Sequence, residues 1–127
     1  MKLLVDTHAL IWFITNDRSL PKKTKTIIED SDNSCVVSVA SLWEMGIKYS
    51  LGRIELKSDL ENIFRIIEKS GFGLLPITPE HILASTKLGL HHKDPFDRII
   101  IAQAITEKLT IISKDKQFKY YPVKVIW

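Results

Sequence analysis

The segment HKDPFDRIIIAQA, residues 92–104, joins a helix start to the most apolar helical pattern in the chain. Asp94 followed by Pro95 predicts an N-cap acid and a proline at the first helical position. Asp97 then falls in the first turn, and residues three or four positions apart share one face of a helix. Asp97 therefore shares a face with isoleucines and Ala104 that should pack on the core. Because a buried carboxylate is costly without a partner, Asp97 requires one.

Short apolar runs alternate with helical patterns on both sides of this segment. The alternation predicts a three-layer α/β domain with a central, mainly parallel sheet of four to five strands flanked by helices. Pro76 makes the third strand an edge candidate. The predicted strands are residues 2–5, 35–38, 74–77, 110–113 and 123–126. The predicted helices are residues 7–15, 21–28, 41–49, 59–69, 79–88 and 95–108, with capping boxes at Ser41–Glu44 and Ser58–Glu61.

Length and composition indicate a single domain over residues 1–127 that is large enough to bury a core. Eighteen basic and 15 acidic residues give a formal charge of +3, which mildly favours a polyanionic partner. The single cysteine, Cys35, cannot form an intrachain disulfide, as is typical of a reducing cytoplasm. We find no signal peptide and no transmembrane span in the sequence. These features predict a cytoplasmic protein that does not associate with a membrane.

Several acids stand near the ends of predicted elements. Asp6 follows the first strand, Asp115 follows the fourth, and Glu44 lies on a largely apolar helix. Ligands of parallel sheets bind beyond the carboxyl ends of the strands, so Asp6 and Asp115 face each other if these strands are neighbours. Clustered carboxylates repel one another, and a divalent cation removes that repulsion. Oxygen ligands without a matching His/Cys set indicate Mg²⁺ or Mn²⁺.

The same acids also have purely structural explanations. Asp6 could be a helix N-cap, and Asp115 could be a turn residue. Glu44 fits a capping box with Ser41 and a favourable i, i+4 pair with Lys48. Each explanation is sufficient for one acid alone, and only their joint position at element ends favours a metal site.

Basic and hydroxyl side chains accompany the acids. Thr7 and Ser113 stand beside Asp6 and Asp115, where their hydroxyls could orient the acids or serve as caps. Basic residues near the acids could contact a phosphodiester backbone, although a solvated loop of mixed charge explains them equally well. These candidate backbone contacts are His92, Lys93, Arg98, Lys114 and Lys116. We find no glycine-rich phosphate loop and no G-x-S-x-G nucleophile motif.

Four segments, in order along the chain, resemble the PIN domain family, and more closely its VapC-type toxins of type II toxin–antitoxin pairs. They are LLVDTH at 3–8, S-x-x-S-x-x-E at 38–44, DPFDR at 94–98 and ISKD at 112–115. The resemblance implies a metal-dependent endoribonuclease that hydrolyses RNA phosphodiester bonds. It also implies a homodimer and a cognate antitoxin whose extended segment blocks the acidic site. Apolar surface for that antitoxin could come from Trp12, Phe13 and Trp43.

Residue by residue, the resemblance implies that the catalytic and metal-binding set is Asp6, Glu44, Asp97 and Asp115. Asp6 and Asp97 resemble the direct ligands, and the other two would act through water or at a second ion. The implied supporting residues are Thr7, Ser113 and Asp94. Three alternatives remain open: a housekeeping RNA-processing nuclease, a non-catalytic RNA- or protein-binding module, and a receiver-type domain. The receiver-type domain is disfavoured because it needs paired acids after the first strand, where Asp6 stands alone.

Overall fold

A computed structural model describes residues 1–127 as five strands and six helices. The strands are β1 Lys2–Val5, β2 Ser34–Ser38, β3 Gly73–Leu75, β4 Thr110–Ile112 and β5 Val125–Ile126. The helices are α1 Thr7–Ile14, α2 Lys22–Glu29, α3 Val39–Ser50, α4 Leu60–Lys69, α5 Pro79–Thr86 and α6 Pro95–Glu107. A short 3₁₀ helix, Lys116–Tyr120, follows β4. The predicted alternation of strands and helices is confirmed.

All five strands are parallel, in the order β3-β2-β1-β4-β5. β1 is central and pairs Leu4 with Val36 of β2 on one side and Ile111 of β4 on the other. The predicted adjacency of the first and fourth strands is therefore confirmed, as is the edge position of the third strand, although β3 ends at Leu75 and leaves Pro76 outside it. Strand order reverses between β1 and β4, which is where parallel sheets bind ligands.

Two apolar layers cover the sheet, one on each face. Leu3 and Val5 of β1 belong to one layer with α1, α3 and α4, whereas Leu4 belongs to the other. Successive side chains of a strand alternate between faces, so one short strand supplies both layers. The second layer contains Ile100 and Ile101, which confirms that this face of α6 packs on the core.

Two predicted capping boxes are wrong in register. α3 begins at Val39 because the Ser38 hydroxyl accepts from the Ala40 amide (3.0 Å), so Ser41 lies inside the first turn. α4 is capped by Asp59, which accepts from the Asn62 amide (2.8 Å). Serine and aspartate are comparable N-cap residues, and neighbouring candidates compete for the same orphan amides. Glu44 is therefore not part of a capping box, and its position requires another explanation.

The start of α6 agrees with the sequence. The Asp94 carboxylate accepts from the amides of Phe96 (2.8 Å) and Asp97 (3.3 Å), and Pro95 occupies the first turn. This cap determines which residues of α6 face the sheet edge. None of the helices is both long and apolar enough to cross a membrane.

Candidate metal centre

The predicted acids stand around the carboxyl edge of β1 and β4. The Asp6 amide donates to the Ile112 carbonyl of β4 (3.1 Å), so Asp6 lies beside the end of that strand. Asp115 follows three residues later and caps the 3₁₀ helix. Asp97 reaches the same region from the first turn of α6, and Glu44 reaches it from α3, which packs against α6. Elements from distant parts of the chain thus converge on one edge.

Asp6 is almost fully buried at the start of α1. Its Oδ1 accepts from the Ala9 amide (2.8 Å), which confirms the N-cap interpretation. Burial raises the pKa of Asp6, and the charge of Asp115 adds to that effect. The Ser113 side chain, the Ala9 amide and His8 oppose it. The cap uses one carboxylate oxygen, so a second role for this residue remains open.

Asp97 is a partly buried acid whose pKa is also raised. Desolvation by burial raises its pKa to about 7, and the negative charges of Asp94, Glu44 and Asp115 add to this shift. The nearby His92 lowers it. The raised pKa favours the protonated form of Asp97, and a cation at this position would favour the ionised form.

Glu44 is 4% exposed, and its two oxygens differ sharply. Oε2 forms an ion pair with Lys48 (2.9 Å), which confirms the i, i+4 interaction. Oε1 is buried with no hydrogen-bond partner in the protein. Buried polar atoms without a partner are uncommon in native proteins, because each carries an uncompensated desolvation cost. Oε1 is therefore free to accept a ligand close to Asp97.

A compact group of ligand atoms combines two of these acids with a histidine. One ligand atom each from His92, Asp97 and Asp115 lies within 4.8 Å of the other two. The Nε2 atom of His92 is 3.1 Å from Oδ2 of Asp115, and the Gln117 amide donates to Oδ1 of Asp115 (2.9 Å). The structure thus places a histidine inside a site that the sequence predicts to be purely acidic.

The two predicted supporting hydroxyls have different surroundings. The buried Ser113 hydroxyl accepts from the Asp115 amide (3.0 Å), and the Ser113 side chain also lowers the pKa of Asp6. It therefore links the two acids. The Thr7 hydroxyl donates instead to the Ser41 hydroxyl (2.9 Å), which ties α1 to α3.

The predicted RNA contacts fall into two groups. Lys93, Lys114 and Lys116 are exposed, as an RNA contact requires. His92 and Arg98 differ from these lysines in their surroundings. His92 is 6% exposed, and the Arg98 guanidinium donates to four backbone carbonyls. Internal contacts therefore occupy both side chains.

An open cleft of about 250 Å³ borders Asp115. Its lining combines lysines with the aromatic ring of Trp127, a pairing suited to phosphates and bases. The lysines of the lining are Lys114, Lys116 and Lys119. Trp12 lies next to this region, with its ring 5.9 Å from that of Trp127 and 5.8 Å from the Lys114 ammonium.

The donor set fits a hard divalent cation. Carboxylate oxygens dominate the group, and such oxygens are the preferred ligands of Mg²⁺ and Mn²⁺. Oε1 of Glu44 lacks a hydrogen-bond partner, and the pKa values of Asp6 and Asp97 are raised, so these acids would gain from a bound cation. Asp97 and Asp115 have ligand atoms within 4.8 Å of each other and could hold such an ion, whereas Asp6 and Glu44 lie outside this compact group. Asp6 is near enough to feel the charge of Asp115, and Glu44 is near enough to act on Asp97.

Four residues near the site, three of them aromatic, were not predicted from the sequence. Tyr121 and Phe118 pack around His92, and Lys119 and Trp127 line the cleft beside Asp115. None of them stands at a strand end or in a recognisable motif. The aromatic-rich final segment, 117–127, is the one signal that could have drawn attention to them.

A family model described as the PIN domain matches residues 3–124. The chain therefore belongs to the PIN domain family, whose members are nucleases that generally use a divalent metal. No curated protein matches the sequence at a significant level. Family membership agrees with the acidic site described above.

Solved structures with the same fold include toxin–antitoxin complexes. VapBC2 from Rickettsia felis, bound to a DNA fragment from its promoter, has a TM-score of 0.74 at 18% identity, over 100% of this chain and 99% of that chain. DNA-bound VapBC from Salmonella typhimurium has a TM-score of 0.71 at 17% identity, over 99% of this chain and 97% of that chain. FitAcB from Neisseria gonorrhoeae has a TM-score of 0.68 at 19% identity, over 98% of this chain and 96% of that chain. The fold thus matches along almost the whole of each chain.

Proposed function

We propose that this protein is a metal-dependent endoribonuclease that hydrolyses RNA phosphodiester bonds. The observation that carries the proposal is Asp97, a carboxylate on the core-facing side of α6 whose pKa burial and neighbouring acids raise to about 7. Such a group is costly to ionise unless a cation joins it. The PIN fold and the acids around Asp97 supply the setting for that cation.

Each acid has a distinct role in this proposal. Asp6 and Asp97 hold Mg²⁺ or Mn²⁺ directly, and Glu44 and Asp115 act through water or at a second ion. Ser113 orients Asp6 and Asp115, while Asp94 sets the start of α6. A bound divalent ion supplies Lewis-acid stabilisation of a phosphate oxygen and activation of water for in-line attack.

The exposed lysines bind the substrate backbone in this proposal. Lys114, Lys116 and Lys119 surround the cleft beside Asp115, and Lys93 is exposed just before α6. Trp127 offers a ring on which an unpaired base can stack, a contact worth about 1–3 kcal/mol per base. This arrangement suits single-stranded RNA entering from the side of β5.

We further infer that the protein is the toxin of a toxin–antitoxin pair in the cytoplasm. Support comes from the fold, which it shares with VapBC complexes over nearly the whole chain. An apolar cleft of about 380 Å³ beside the β3 edge, lined by Leu42, Phe64, Phe72 and Leu74 among others, could receive apolar side chains of an antitoxin. Trp43, 64% exposed on α3, remains a candidate contact as well.

A homodimer belongs to the same proposal. Ile82 and Leu83 are exposed on α5, and Leu90 is exposed in the following loop. Contiguous exposed apolar patches on a protein often mark sites of protein–protein interaction. The face of α5 is therefore the proposed contact between two copies.

Cleavage of a labelled single-stranded RNA by the purified chain tests the nuclease proposal. We expect cleavage with Mg²⁺ or Mn²⁺, none with EDTA, and none with Asp97→Asn. Asp32→Asn is the matched control, because Asp32 lies exposed in the loop before β2. Cleavage that persists in EDTA or in Asp97→Asn would contradict the proposal.

Two further measurements separate the alternatives. A housekeeping nuclease would cleave RNA without arresting growth, whereas a toxin arrests growth on expression and a neighbouring small reading frame relieves the arrest. A non-catalytic binding module would take up neither Mg²⁺ nor Mn²⁺ in calorimetry, and metal would leave its stability unchanged.

A further inference from the structure

We propose that His92 is a positioning residue that holds the Asp115 carboxylate in its metal-binding orientation. The inference rests on the proposed metal-dependent activity. It adds to that activity a histidine from the loop before α6, whose ring touches one acid of the site and lies within 4.8 Å of a second.

The backbone of His92 is anchored on both sides. Its amide donates to the Tyr121 hydroxyl (2.9 Å), and its carbonyl accepts from Arg98 Nη1 (3.1 Å). The same guanidinium donates to the carbonyls of Ser85, Leu88 and Gly89. Arg98 thus clamps the loop between α5 and α6 and fixes the position of the His92 backbone.

The His92 ring is held as tightly as its backbone. The Phe118 ring meets it edge-on at 5.1 Å, and the Tyr121 ring lies tilted at 5.6 Å. The Tyr121 hydroxyl is also 3.3 Å from Nδ1. Because an ionised carboxylate only accepts hydrogen bonds, Nε2 carries a proton and donates to Asp115 Oδ2 (3.1 Å).

Asp115 needs this contact because the local chain restrains only one of its oxygens. The Gln117 amide binds Oδ1 (2.9 Å), whereas Oδ2 has His92 as its hydrogen-bond partner. The residue stands just past a strand of three residues, and its side chain is 36% exposed. Partners of metal ligands in the outer shell orient them, and their loss typically weakens metal affinity about 10- to 100-fold.

The protein contains a matched control for this arrangement. His81, 1% exposed on α5, places Nε2 3.1 Å from Oε2 of Glu107 and accepts from the Thr78 amide through Nδ1. Its partner acid is outside the candidate metal centre. Substitution of His81 therefore reproduces the loss of a buried histidine–carboxylate bond without touching that centre.

The test compares His92→Leu, His92→Gln and His81→Leu in the full chain. We expect His92→Leu to weaken Mn²⁺ affinity in calorimetry about 10- to 100-fold. It should also lower kcat for RNA cleavage while leaving KM for RNA unchanged. His92→Gln retains a side-chain donor and should recover most of both losses, and His81→Leu should leave Mn²⁺ affinity at the wild-type value.

A double-mutant cycle with Asp115→Asn checks that His92 acts through Asp115. Adding His92→Leu to Asp115→Asn should cost no further Mn²⁺ affinity, because the oriented carboxylate is already gone. Additive losses would overturn the proposal. A ¹⁴N coupling in the spin-echo spectrum of the bound Mn²⁺ that disappears in His92→Gln would also overturn it, since it makes His92 a direct ligand.

If His92→Leu does not fold, the cycle is run with His92→Gln, whose smaller loss must again vanish in the Asp115→Asn background. Wild-type affinity in both His92 variants overturns the positioning role while the nuclease proposal stands. A wild-type chain that neither binds Mn²⁺ nor cleaves RNA overturns both proposals.

Discussion

At the scale of single residues, the structural and functional explanations of an acid are compatible, because a carboxylate has two oxygens. Asp6 and Asp115 each use Oδ1 to cap a helix. The second oxygen of each is then held at a known angle rather than rotating freely. Glu44 also uses only one of its oxygens: Oε2 forms an ion pair with Lys48, whereas Oε1 has no hydrogen-bond partner. Capping would therefore orient the proposed metal ligands.

The raised pKa of Asp97 predicts a pH-dependent stability in the absence of metal. Its pKa is 3.8 in ordinary surroundings and about 7 in the folded protein, so the folded state binds the proton more tightly than the unfolded state. The contribution of Asp97 to the free energy of unfolding is therefore most favourable below about pH 4, and it is lost as the pH rises through about 7.

Asp97→Asn removes this ionisation, and the variant should unfold in EDTA at higher urea than wild type at pH 8. Because Asp97 is partly exposed, we expect a gain of roughly 1–2 kcal/mol rather than the full value of the shift. The gain should disappear at pH 4 and shrink when Mg²⁺ is added to wild type. Equal stability at pH 8 would show that Asp97 is not destabilising when ionised.

At the scale of elements, the start of α6 organises two different parts of the site. The Asp94 cap begins the helix at Pro95, which places Asp97 on the side of the other acids. One residue further, Arg98 extends back from the helix and holds the preceding loop through its carbonyls. A single turn of helix thereby positions both Asp97 and His92.

Arg98→Met should destabilise the protein by roughly 2–3 kcal/mol, because hydrogen bonds from a charged donor are lost together. Hydrogen exchange at the amide of His92 should become faster, since that amide lies in the clamped loop. Urea unfolding and exchange measured by NMR check the two effects.

Arg65→Met is the control for this prediction. Arg65 forms an exposed i, i+4 pair with Glu61 on α4, and such pairs contribute about 0.3–0.5 kcal/mol. A similar cost for the two substitutions would contradict the clamp role of Arg98.

At the scale of the whole molecule, the order β3-β2-β1-β4-β5 brings the first and last thirds of the chain together. The site forms where that order reverses, from β1, β4, α3 and α6 and the loop before α6. The outer surface of α5 lies away from the sheet and carries exposed apolar side chains.

Leu83→Glu should convert a homodimer into a monomer, because it places a charge on an apolar side chain that is 63% exposed on α5. Light scattering after size exclusion measures the mass, and urea unfolding verifies that the monomer is folded. Leu74→Glu, which alters a similarly exposed leucine on the β3 edge, should leave the mass unchanged. A dimer that persists in Leu83→Glu would place the contact elsewhere.

Much of the fold was predictable because the relevant interactions are local. The alternation of apolar strands with helices, the Asp94–Pro95 start of α6 and the edge position before Pro76 all depend on backbone chemistry within a few residues. Prediction failed at the starts of α3 and α4, where adjacent serine and aspartate residues compete as caps. The predicted fifth strand, residues 123–126, is also too long, because only Val125 and Ile126 pair with β4.

The sequence by itself determined the fold class, the order of the elements and the acids that could form a site, including Asp97 on an apolar helix face. Only the tertiary structure decided that β1 adjoins β4 and that His92 meets Asp115 across 23 positions of the chain. It also decided that the Arg98 guanidinium donates to the carbonyls of Ser85 and His92. Local hydrogen bonding and steric preference can be deduced from neighbouring residues, whereas burial and long-range contacts exist only after the layers have packed.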